Sequence, residues 1–284
     1  MRQGKTLNMV YDEIVLTMKN THGDLSIFDE AFLGKTLEKR WTSLGLNNAV
    51  EYLAILKKNG GEADALYRLL YVSFSQFFRD PITFAMLEQR ILPDIIARKR
   101  DGGEIRVWSA GCAQGQEAYS LAILLAELTE VQEKNIRYRI FATDISPEVL
   151  AVGRSGIYVE SAIQEVRKKH LDKYFFKQGN KYCIVPELGQ YVSFHTYDLL
   201  DSSTTGLPES IYGDYDLVIC CNVLLYYKAD VQKFIMSKLQ KSTAPDGYFV
   251  TGEAETALVA HATKLQLTPI PTAILKNSKR RGRL

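Results

Sequence analysis

Apolar residues in the first hundred positions recur with the spacing of α-helices. The first stripe follows the i, i+3, i+4, i+7 pattern of a single helix face and consists of Tyr11, Ile14, Val15 and Met18. Three further stripes, at 32–41, 50–56 and 66–70, predict three more helices, and Gly60 and Gly61 are expected to close the third. The pattern therefore predicts an all-α N-terminal domain, which we place at residues 1–78.

A fifth helix is predicted to begin at residue 80. Asp80 supplies an N-cap side chain, and Pro81 suits the first helical position because its ring already fixes φ. Pro93 cannot donate a backbone hydrogen bond, so we expect it to kink or divide this helix.

After Gly103 short β-branched or aromatic runs alternate with helical stretches, which is typical of a parallel sheet covered by helices. Strands are predicted at 105–109, 139–143, 192–197, 215–221 and 248–251, and helices at 116–128, 147–152 and 230–240. A hairpin forms a small insertion at about 173–191, with its turn at 177–180. Two antiparallel strands are expected within 261–276. We assign 79–284 to one Rossmann-like α/β domain.

Composition narrows the function classes. The 284 residues carry a net charge of only +2, which does not call for a nucleic acid partner. The four cysteines show no CxxC spacing, so neither a metal site nor a disulfide framework is expected, and a reducing cytoplasm is the default location. Asp12 and Glu13 stand where a signal peptide needs an apolar run, and no stretch is long and apolar enough to insert into a membrane.

The loop after the first predicted strand is the first candidate for chemistry. Gly111 and Gly115 permit close approach of a ligand, and the following helix offers unpaired N–H groups; the alternative explanation of the glycines is tight packing of the strand against the helix. Asp144 ends the second strand, where an acidic residue commonly binds ribose hydroxyls. Without a Walker or GxGxxG motif, the loop favours a nucleoside lacking phosphates, such as S-adenosylmethionine. Glu117 either meets its ammonium group or merely complements the helix dipole.

Several blocks of the chain resemble the CheR-type chemoreceptor glutamate methyltransferases. Residues 108–120 read WSAGCAQGQEAYS, similar to the family's WSAxCSxGEEPYS, and 75–79 read SQFFR against its T-x-FFR. The other matching blocks follow in family order: FATDI at 141–145, GIY at 156–158, YF at 174–175, DLL at 198–200, CNVLLYY at 221–227 and GEAE at 252–255. The resemblance implies a class I S-adenosylmethionine-dependent methyltransferase domain with a small β-subdomain, preceded by the helical domain.

The resemblance also implies roles for individual residues. Asp144 would hold the ribose hydroxyls, and Glu117 the methionine end of S-adenosylmethionine. The remaining cofactor positions, carried over from the family motifs, are Ser73, Ser75, Arg79, Gly111, Asp198, Leu199, Cys221 and Asn222. Arg79 and Tyr226 are the catalytic candidates, placing the substrate carboxylate and the reacting methyl group, and no metal is implied.

Four positions depart from the family pattern. Ser75 replaces a threonine, Gln116 a glutamate, Asp198 an asparagine and Cys221 an arginine. The last exchange removes a donor and leaves the role of the residue 221 side chain in question.

The expected partner is the cytoplasmic helical bundle of a chemoreceptor, and the expected form is a monomer. Lys35 and Lys39 lie one helical turn apart and are candidates for docking, although such charges are usually a solvated face. The short hairpin turn predicts no tight tether to a receptor C-terminal peptide. A methyltransferase acting on another protein or a small molecule, or a non-catalytic cofactor-binding adaptor, remain alternatives.

Overall fold

The computed structural model describes residues 2–71, 74–132, 134–204, 214–262, 266–267 and 273–277. The chain divides into two compact units. The smaller consists of Met1–Val72 and Leu225–Gln232, and the larger of Ser73–Leu224 and Lys233–Leu284. This division falls at residue 72, whereas the predicted domain boundary at residue 78 stays a prediction.

The smaller unit contains the four predicted helices. They are α1 (Arg2–Lys19), α2 (Glu30–Ser43), α3 (Ala49–Leu56) and α4 (Gly60–Leu70). The prediction for Gly60 and Gly61 was wrong in one respect: α3 already ends at Leu56, and the two glycines form the first turn of α4. Asn59 caps that turn, since its side chain accepts from the Gly61 N–H at 3.0 Å.

Aromatic rings bind the separate segment 225–232 into the helical unit. Tyr227 stacks on the buried Phe28 with ring centroids 5.3 Å apart, and Tyr226 packs against Phe32 at 4.8 Å. The backbone also takes part, because the Asp29 N–H donates to the Tyr226 carbonyl at 2.9 Å. Such ring pairs stabilise a core beyond the area that they bury.

A buried ion pair lies in the core of the same unit. Glu62 is only 5% exposed and accepts two hydrogen bonds from Arg40, from Nε at 2.8 Å and from Nη2 at 2.6 Å. The hydroxyl of the buried Tyr52 donates to the same carboxylate at 2.8 Å. Although burial opposes ionisation of Glu62, these partners hold its pKa below the usual value. Arg40 is therefore engaged internally, while its neighbours Lys35 and Lys39 are exposed.

The larger unit is an α/β domain around a seven-stranded sheet. Its strands, in spatial order, are β6 (Val192–Thr196), β2 (Arg137–Asp144), β1 (Glu104–Ala110), β7 (Tyr215–Cys220), β8 (Thr243–Thr251), β10 (Ile274–Lys276) and β9 (Gln266–Leu267). The first five are parallel, whereas β10 runs antiparallel to both of its neighbours. This is the class I methyltransferase fold that the sequence predicts, with the two closing antiparallel strands in the expected region.

Helices cover this sheet and explain the near-continuous burial of its central strands β1 and β7. They are α5 (Pro81–Met86), α6 (Leu92–Arg98), α7 (Gln116–Glu130), α8 (Pro147–Ser155), α9 (Lys168–Tyr174), α10 (Pro186–Gly189), α11 (Ala229–Ser242) and α12 (Thr256–Ala262). The N-cap prediction for α5 is confirmed, since Asp80 accepts from the Thr83 N–H at 3.2 Å. A π-helical turn at Leu87–Ile91 separates α5 from α6 just before Pro93, the division that this proline predicts.

The predicted hairpin belongs to a separate three-stranded antiparallel sheet. Its order is β3 (Ile157–Val159), β5 (Lys181–Ile184) and β4 (Phe175–Gln178). Because Gln178 pairs with Lys181, the connecting loop contains only Gly179 and Asn180, which is shorter than the predicted turn. Gly179 has a φ of +62°, a conformation that glycine adopts without strain.

None of the helices in the described part of the chain combines the length and the apolar character that crossing a bilayer requires.

The buried ion pair generates a stability prediction. Arg40→Met keeps the aliphatic stem but leaves the Glu62 carboxylate buried without its cation, so we expect the free energy of unfolding to fall by about 2–4 kcal/mol. Urea denaturation measures the change. Lys39→Met, one residue away on the exposed face of α2, should stay within about 0.5 kcal/mol of the parent. Equal stability of both variants would contradict a structural role for the pair.

Candidate functional site

The candidate residues of the larger unit gather at one edge of its main sheet. Strands β6, β2, β1 and β7 are neighbours and parallel, so the segments that follow them lie side by side at their carboxyl ends. Gly111 follows β1, Asp144 ends β2, Asp198 follows β6 and Cys221 follows β7. In open α/β sheets this edge is where ligands bind.

The loop between β1 and α7 takes an unusual backbone path. The N–H groups of Gly111 and Cys112 both donate to the Thr143 carbonyl, at 2.8 and 2.9 Å. Gly111 has a φ of +75°, and a Cβ at that position would lie 2.5 Å from Cγ2 of Val223. Tight packing therefore requires the glycine, whether or not a ligand also lies against it.

Asp144 is oriented by the backbone around it. Its two carboxylate oxygens accept from the N–H groups of Ala113 and Ser146, each at 3.0 Å. Burial nevertheless raises its pKa above the ordinary value, with these hydrogen bonds opposing the shift. Each oxygen keeps a lone pair for a further donor, such as a hydroxyl group.

Glu117 lies in the first turn of α7 and is the most perturbed carboxylate of the site. Burial raises its pKa to about 7, against a hydrogen bond from the Ser109 hydroxyl at 2.6 Å and the nearby positive charge of Arg79. The Cys221 thiol also hydrogen-bonds to Glu117. Cys221 therefore contacts Glu117 without supplying the charge of the arginine that the family pattern carries there.

Glu255 holds the turn that contains Asn222. Asn222 has a left-handed backbone with a φ of +60°, and its N–H donates to Oε2 of Glu255 at 2.9 Å. The same oxygen accepts from the Gly252 N–H at 2.9 Å and from the Thr251 hydroxyl at 3.0 Å. Glu255 is fully buried, so this carboxylate joins the ends of β7 and β8.

Arg79 is exposed and rests on Phe74. Its guanidinium carbon lies 5.5 Å from the centre of the Phe74 ring, and Nη1 donates to the Phe74 carbonyl at 3.4 Å. Ser75 in the same segment is half-buried, whereas the predicted cofactor residue Ser73 lies outside the described residues.

Asp198 and Leu199 form a turn after β6. The exposed Asp198 side chain accepts from the Leu200 N–H at 2.8 Å, while Leu199 is buried. Tyr226 stands in a short 3-10 helical turn, Leu224–Tyr226, and belongs to the helical unit. The predicted residues that follow β1, β2, β6 and β7 thus lie at one sheet edge, while the individual roles of all the predicted residues stay predictions.

Three buried residues of this region were not predicted as site residues. Ser109 donates to Glu117, Glu255 holds the Asn222 turn, and the Ser120 hydroxyl accepts from the Phe78 N–H at 3.0 Å. All three lie inside motif blocks that the sequence displays. The available signal is a polar residue within an otherwise apolar strand end or helix turn, but the partners of Glu255 and Ser120 lie 33 and 42 residues away in sequence.

A concave surface of about 780 Å³ lies at the opposite edge of the sheet. The paired rings of Tyr138 and Tyr191 contribute to its lining, near the start of β2 and β6. Its lysines are already occupied: Lys173 pairs with Glu130, and Lys134 donates to the carbonyls of Ala97 and Lys99. Both lysines of this groove therefore already have partners within the protein.

The two carboxylates at the carboxyl edge, Glu117 and Asp144, fit S-adenosylmethionine. Within the described part of the chain, neither Glu117 nor Asp144 forms an ion pair with a lysine or arginine at 4.0 Å or less. Glu117 is thus a buried carboxylate suited to an ammonium group, and Asp144 retains acceptor capacity for a ribose diol. No cluster of three potential metal ligands occurs in the same described residues.

The chain matches known proteins over most of its length. Residues 73–274 match the family model described as CheR methyltransferase, SAM binding domain. A chemotaxis protein methyltransferase of Borreliella burgdorferi is 30% identical over 259 residues, which cover 88% of this chain and 90% of that protein. One from Salmonella typhimurium is 32% identical over 225 residues, covering 77% and 73% respectively.

One relative is much longer. An uncharacterized 104.1 kDa protein of Rhodobacter capsulatus is 29% identical over 221 residues, and the match spans 78% of this chain but only 22% of that protein.

The raised pKa of Glu117 predicts an unusual pH dependence of stability. Its folded-state pKa of about 7 lies above the ordinary value of 4.5, so folding loses stability as the pH rises from about 4.5 through 7. Glu117→Gln removes this titration. The melting temperature of the variant, relative to the parent, should rise over that range and level off above it, reflecting about 1–3 kcal/mol.

Differential scanning fluorimetry from pH 4.5 to 8.5, without added ligand, measures this difference. Glu160→Gln is the matched control, because Glu160 is an exposed carboxylate of the same unit. A difference for Glu117→Gln that is flat with pH, like that of the control, would show that Glu117 is not held in a destabilising environment.

Proposed function

Because this chain belongs to the CheR methyltransferase family, we propose that it methylates glutamate side chains of chemotaxis receptors, with S-adenosylmethionine as the methyl donor. The family establishes a methyltransferase with an S-adenosylmethionine-binding domain. The relatives named chemotaxis protein methyltransferase support the receptor as substrate. The single observation that carries the proposal is the pair of carboxylates at the carboxyl edge of the sheet, Asp144 and Glu117, neither of which forms an ion pair with a lysine or arginine of the described residues.

Two carboxylates hold the donor in this proposal. Asp144 accepts the ribose hydroxyls through the lone pairs that its bonds to Ala113 and Ser146 leave available. Glu117 binds the ammonium group of the methionine end, and that cation offsets the unfavourable burial of the ionised carboxylate. Donor binding therefore favours the ionised form of Glu117.

The nucleophile needs no general base. A glutamate side chain has an ordinary pKa near 4.3, so the receptor carboxylate is already ionised at pH 7. The sulfonium group of S-adenosylmethionine supplies an activated methyl group. The task of the protein is to align the carboxylate with that methyl group and to exclude water, because attack cancels two opposite charges that water stabilises when they are apart.

Arg79 orients the receptor carboxylate in this proposal. Its planar guanidinium matches a carboxylate, and the contact with Phe74 restricts the side chain without neutralising its charge. The hold must remain loose, since a very tight pair would stabilise the ground state as much as the transition state. Tyr226 is the second catalytic candidate by family position.

The helical unit is the proposed receptor-binding surface. Lys35 and Lys39 are exposed on α2, and Arg40 is not available because it pairs with Glu62. Strand β4 is only four residues long, and the loop between β4 and β5 has only two residues. The edge available to an added peptide strand is therefore short, which supports the absence of a tight tether to a receptor C-terminal peptide. We also propose a monomer located in the cytoplasm that needs no nucleic acid.

A labelling experiment tests the reaction. The protein is incubated with methyl-labelled S-adenosylmethionine and receptor-containing membranes, and the receptor band is then treated with alkali. Label released as methanol identifies carboxyl methyl esters, and Asp144→Asn should abolish incorporation. Alkali-stable label would indicate another acceptor group. Donor binding without any incorporation would indicate an adaptor.

Arg79→Ala should lower the turnover number by roughly 10²- to 10³-fold, the usual effect of removing one electrostatic contact to reacting groups. Because Arg79 is exposed, the melting temperature should change little. Arg90→Ala is the matched control: Arg90 is also exposed in the larger unit and has no ion pair among the described residues. Normal turnover in a folded Arg79→Ala protein would remove Arg79 from the mechanism.

Charge reversal tests the docking surface. The double variant Lys35→Glu/Lys39→Glu should raise the KM for receptor by about 5- to 30-fold at low salt, with a smaller effect at 0.5 M NaCl because salt screens exposed charges. The control, Lys177→Glu/Lys181→Glu, makes the same charge change on the exposed hairpin strands. A larger effect of the hairpin variant would place receptor recognition on the β-subdomain instead.

A further inference from the structure

Phe78 has a backbone conformation that an aromatic residue rarely adopts. Its φ is +52°, in the left-handed region where the Cβ atom crowds the neighbouring carbonyl. Such a conformation persists only where the surrounding structure enforces it, and it is often found next to functional groups. The residue that follows is Arg79.

The hydroxyl of Ser120 holds the Phe78 backbone. Ser120 lies in the second turn of α7, is fully buried and accepts from the Phe78 N–H at 3.0 Å. Its own proton is committed elsewhere, since Oγ donates to the Gln116 carbonyl at 2.8 Å. A lone pair of the oxygen is consequently directed away from the helix and available to Phe78.

This second hydrogen bond distinguishes Ser120 from an ordinary helical serine. Serines within helices commonly donate to the carbonyl four residues earlier and do nothing further. Thr129, in the same helix, donates to the Leu125 carbonyl at 2.7 Å in this way. Ser120 makes that bond and also binds a residue 42 positions away in sequence.

The aromatic rings of Phe77 and Phe78 also hold this segment in place. Phe78 packs edge-on against Phe84 at 5.3 Å and stacks on the buried His170 at 5.8 Å. Phe77 is fully buried and packs edge-on against Tyr158 at 5.0 Å. In an extended chain two consecutive side chains point to opposite sides. The left-handed turn at Phe78 lets both rings contact the interior while the next residue, Arg79, is exposed.

We propose that Ser120 is a positioning residue for Arg79, acting through the backbone of Phe78. The inference rests on the proposed role of Arg79 in orienting the substrate carboxylate. Losing the Ser120 hydroxyl leaves the Phe78 N–H without its acceptor, so the backbone can relax from its strained conformation. The guanidinium then no longer lies where the carboxylate needs it, and misplacement by about 1 Å is enough to cost up to ~10²-fold in rate.

A double-mutant cycle on the full-length protein tests the proposal. Turnover of receptor is measured for the parent, Ser120→Ala, Arg79→Ala and the double variant, and binding of S-adenosylhomocysteine by calorimetry confirms a folded donor site. Ser120→Ala should lower the turnover number roughly 10- to 100-fold. Its affinity for S-adenosylhomocysteine should match that of Arg79→Ala within about 2-fold, because Ser120 forms no hydrogen bond with Asp144 or Glu117 and acts on the site only through Arg79.

In the Arg79→Ala background, Ser120→Ala should cause no further loss beyond about 2-fold, because residues that act as a unit are not additive. Thr129→Val, which removes an ordinary helical hydroxyl, is the control and should keep full turnover. Ser120→Cys retains the volume with a weaker acceptor and should lie between serine and alanine, which keeps the test valid if the alanine variant folds poorly.

The outcomes separate the two ideas. Full turnover of Ser120→Ala, or a loss that adds to that of Arg79→Ala, overturns the positioning role alone. Normal turnover of Arg79→Ala shows that the proposed role of Arg79 is wrong, and the inference about Ser120 falls with it.

Discussion

The order of strands in the main sheet determines where this protein can do chemistry. Strand β1 is the middle one of the five parallel strands, and the chain first adds β2 and β6 on one side of it and then β7 and β8 on the other side. The loops after β1 and β7 must therefore diverge, and the gap between them receives side chains from β2 and α7 as well. Asp144, Glu117 and Asn222 come from separate parts of the sequence and share this edge only because of that topology.

Neutral donors, more than cations, orient the carboxylates at this edge. Asp144 accepts from two backbone N–H groups, Glu117 from the Ser109 hydroxyl and the Cys221 thiol, and Glu255 from backbone N–H groups and the Thr251 hydroxyl. Hydrogen bonds of this kind fix the direction of a carboxylate without cancelling its charge, so the ionised form can still attract a cation. Cys221 stands where the family pattern has an arginine, so this position also contributes no positive charge to the edge. A cationic ligand such as S-adenosylmethionine is the natural complement.

The sequence predicted most of the architecture because local signals agreed with the final fold. Apolar stripes gave the four N-terminal helices, Asp80 with Pro81 gave the start of α5, and strand–helix alternation gave the parallel sheet. The site residues followed from motif blocks. Other features depend on contacts between distant positions and leave little local trace. The ion pair of Arg40 with Glu62 is one of these, since its partners lie 22 residues apart. The local sequence does not predict the left-handed backbone of Phe78, because the residue is neither glycine nor asparagine.

The helical unit is assembled from two separate segments of the chain, so it cannot be cut from the α/β domain at a single position. Residues 225–232 leave the α/β domain in sequence but complete the helical core, where Tyr227 stacks on Phe28 and Tyr226 packs on Phe32. A fragment that starts at residue 73 would carry these tyrosines without the phenylalanines that cover them. Recombination between two relatives at a single position between these segments would combine the N-terminal helices of one protein with the 225–232 segment of the other, and the two parts of the core would not match. The helical and α/β units of such a chain are thus inherited together, and the surface of the helical unit can diverge only through changes that leave its aromatic core intact.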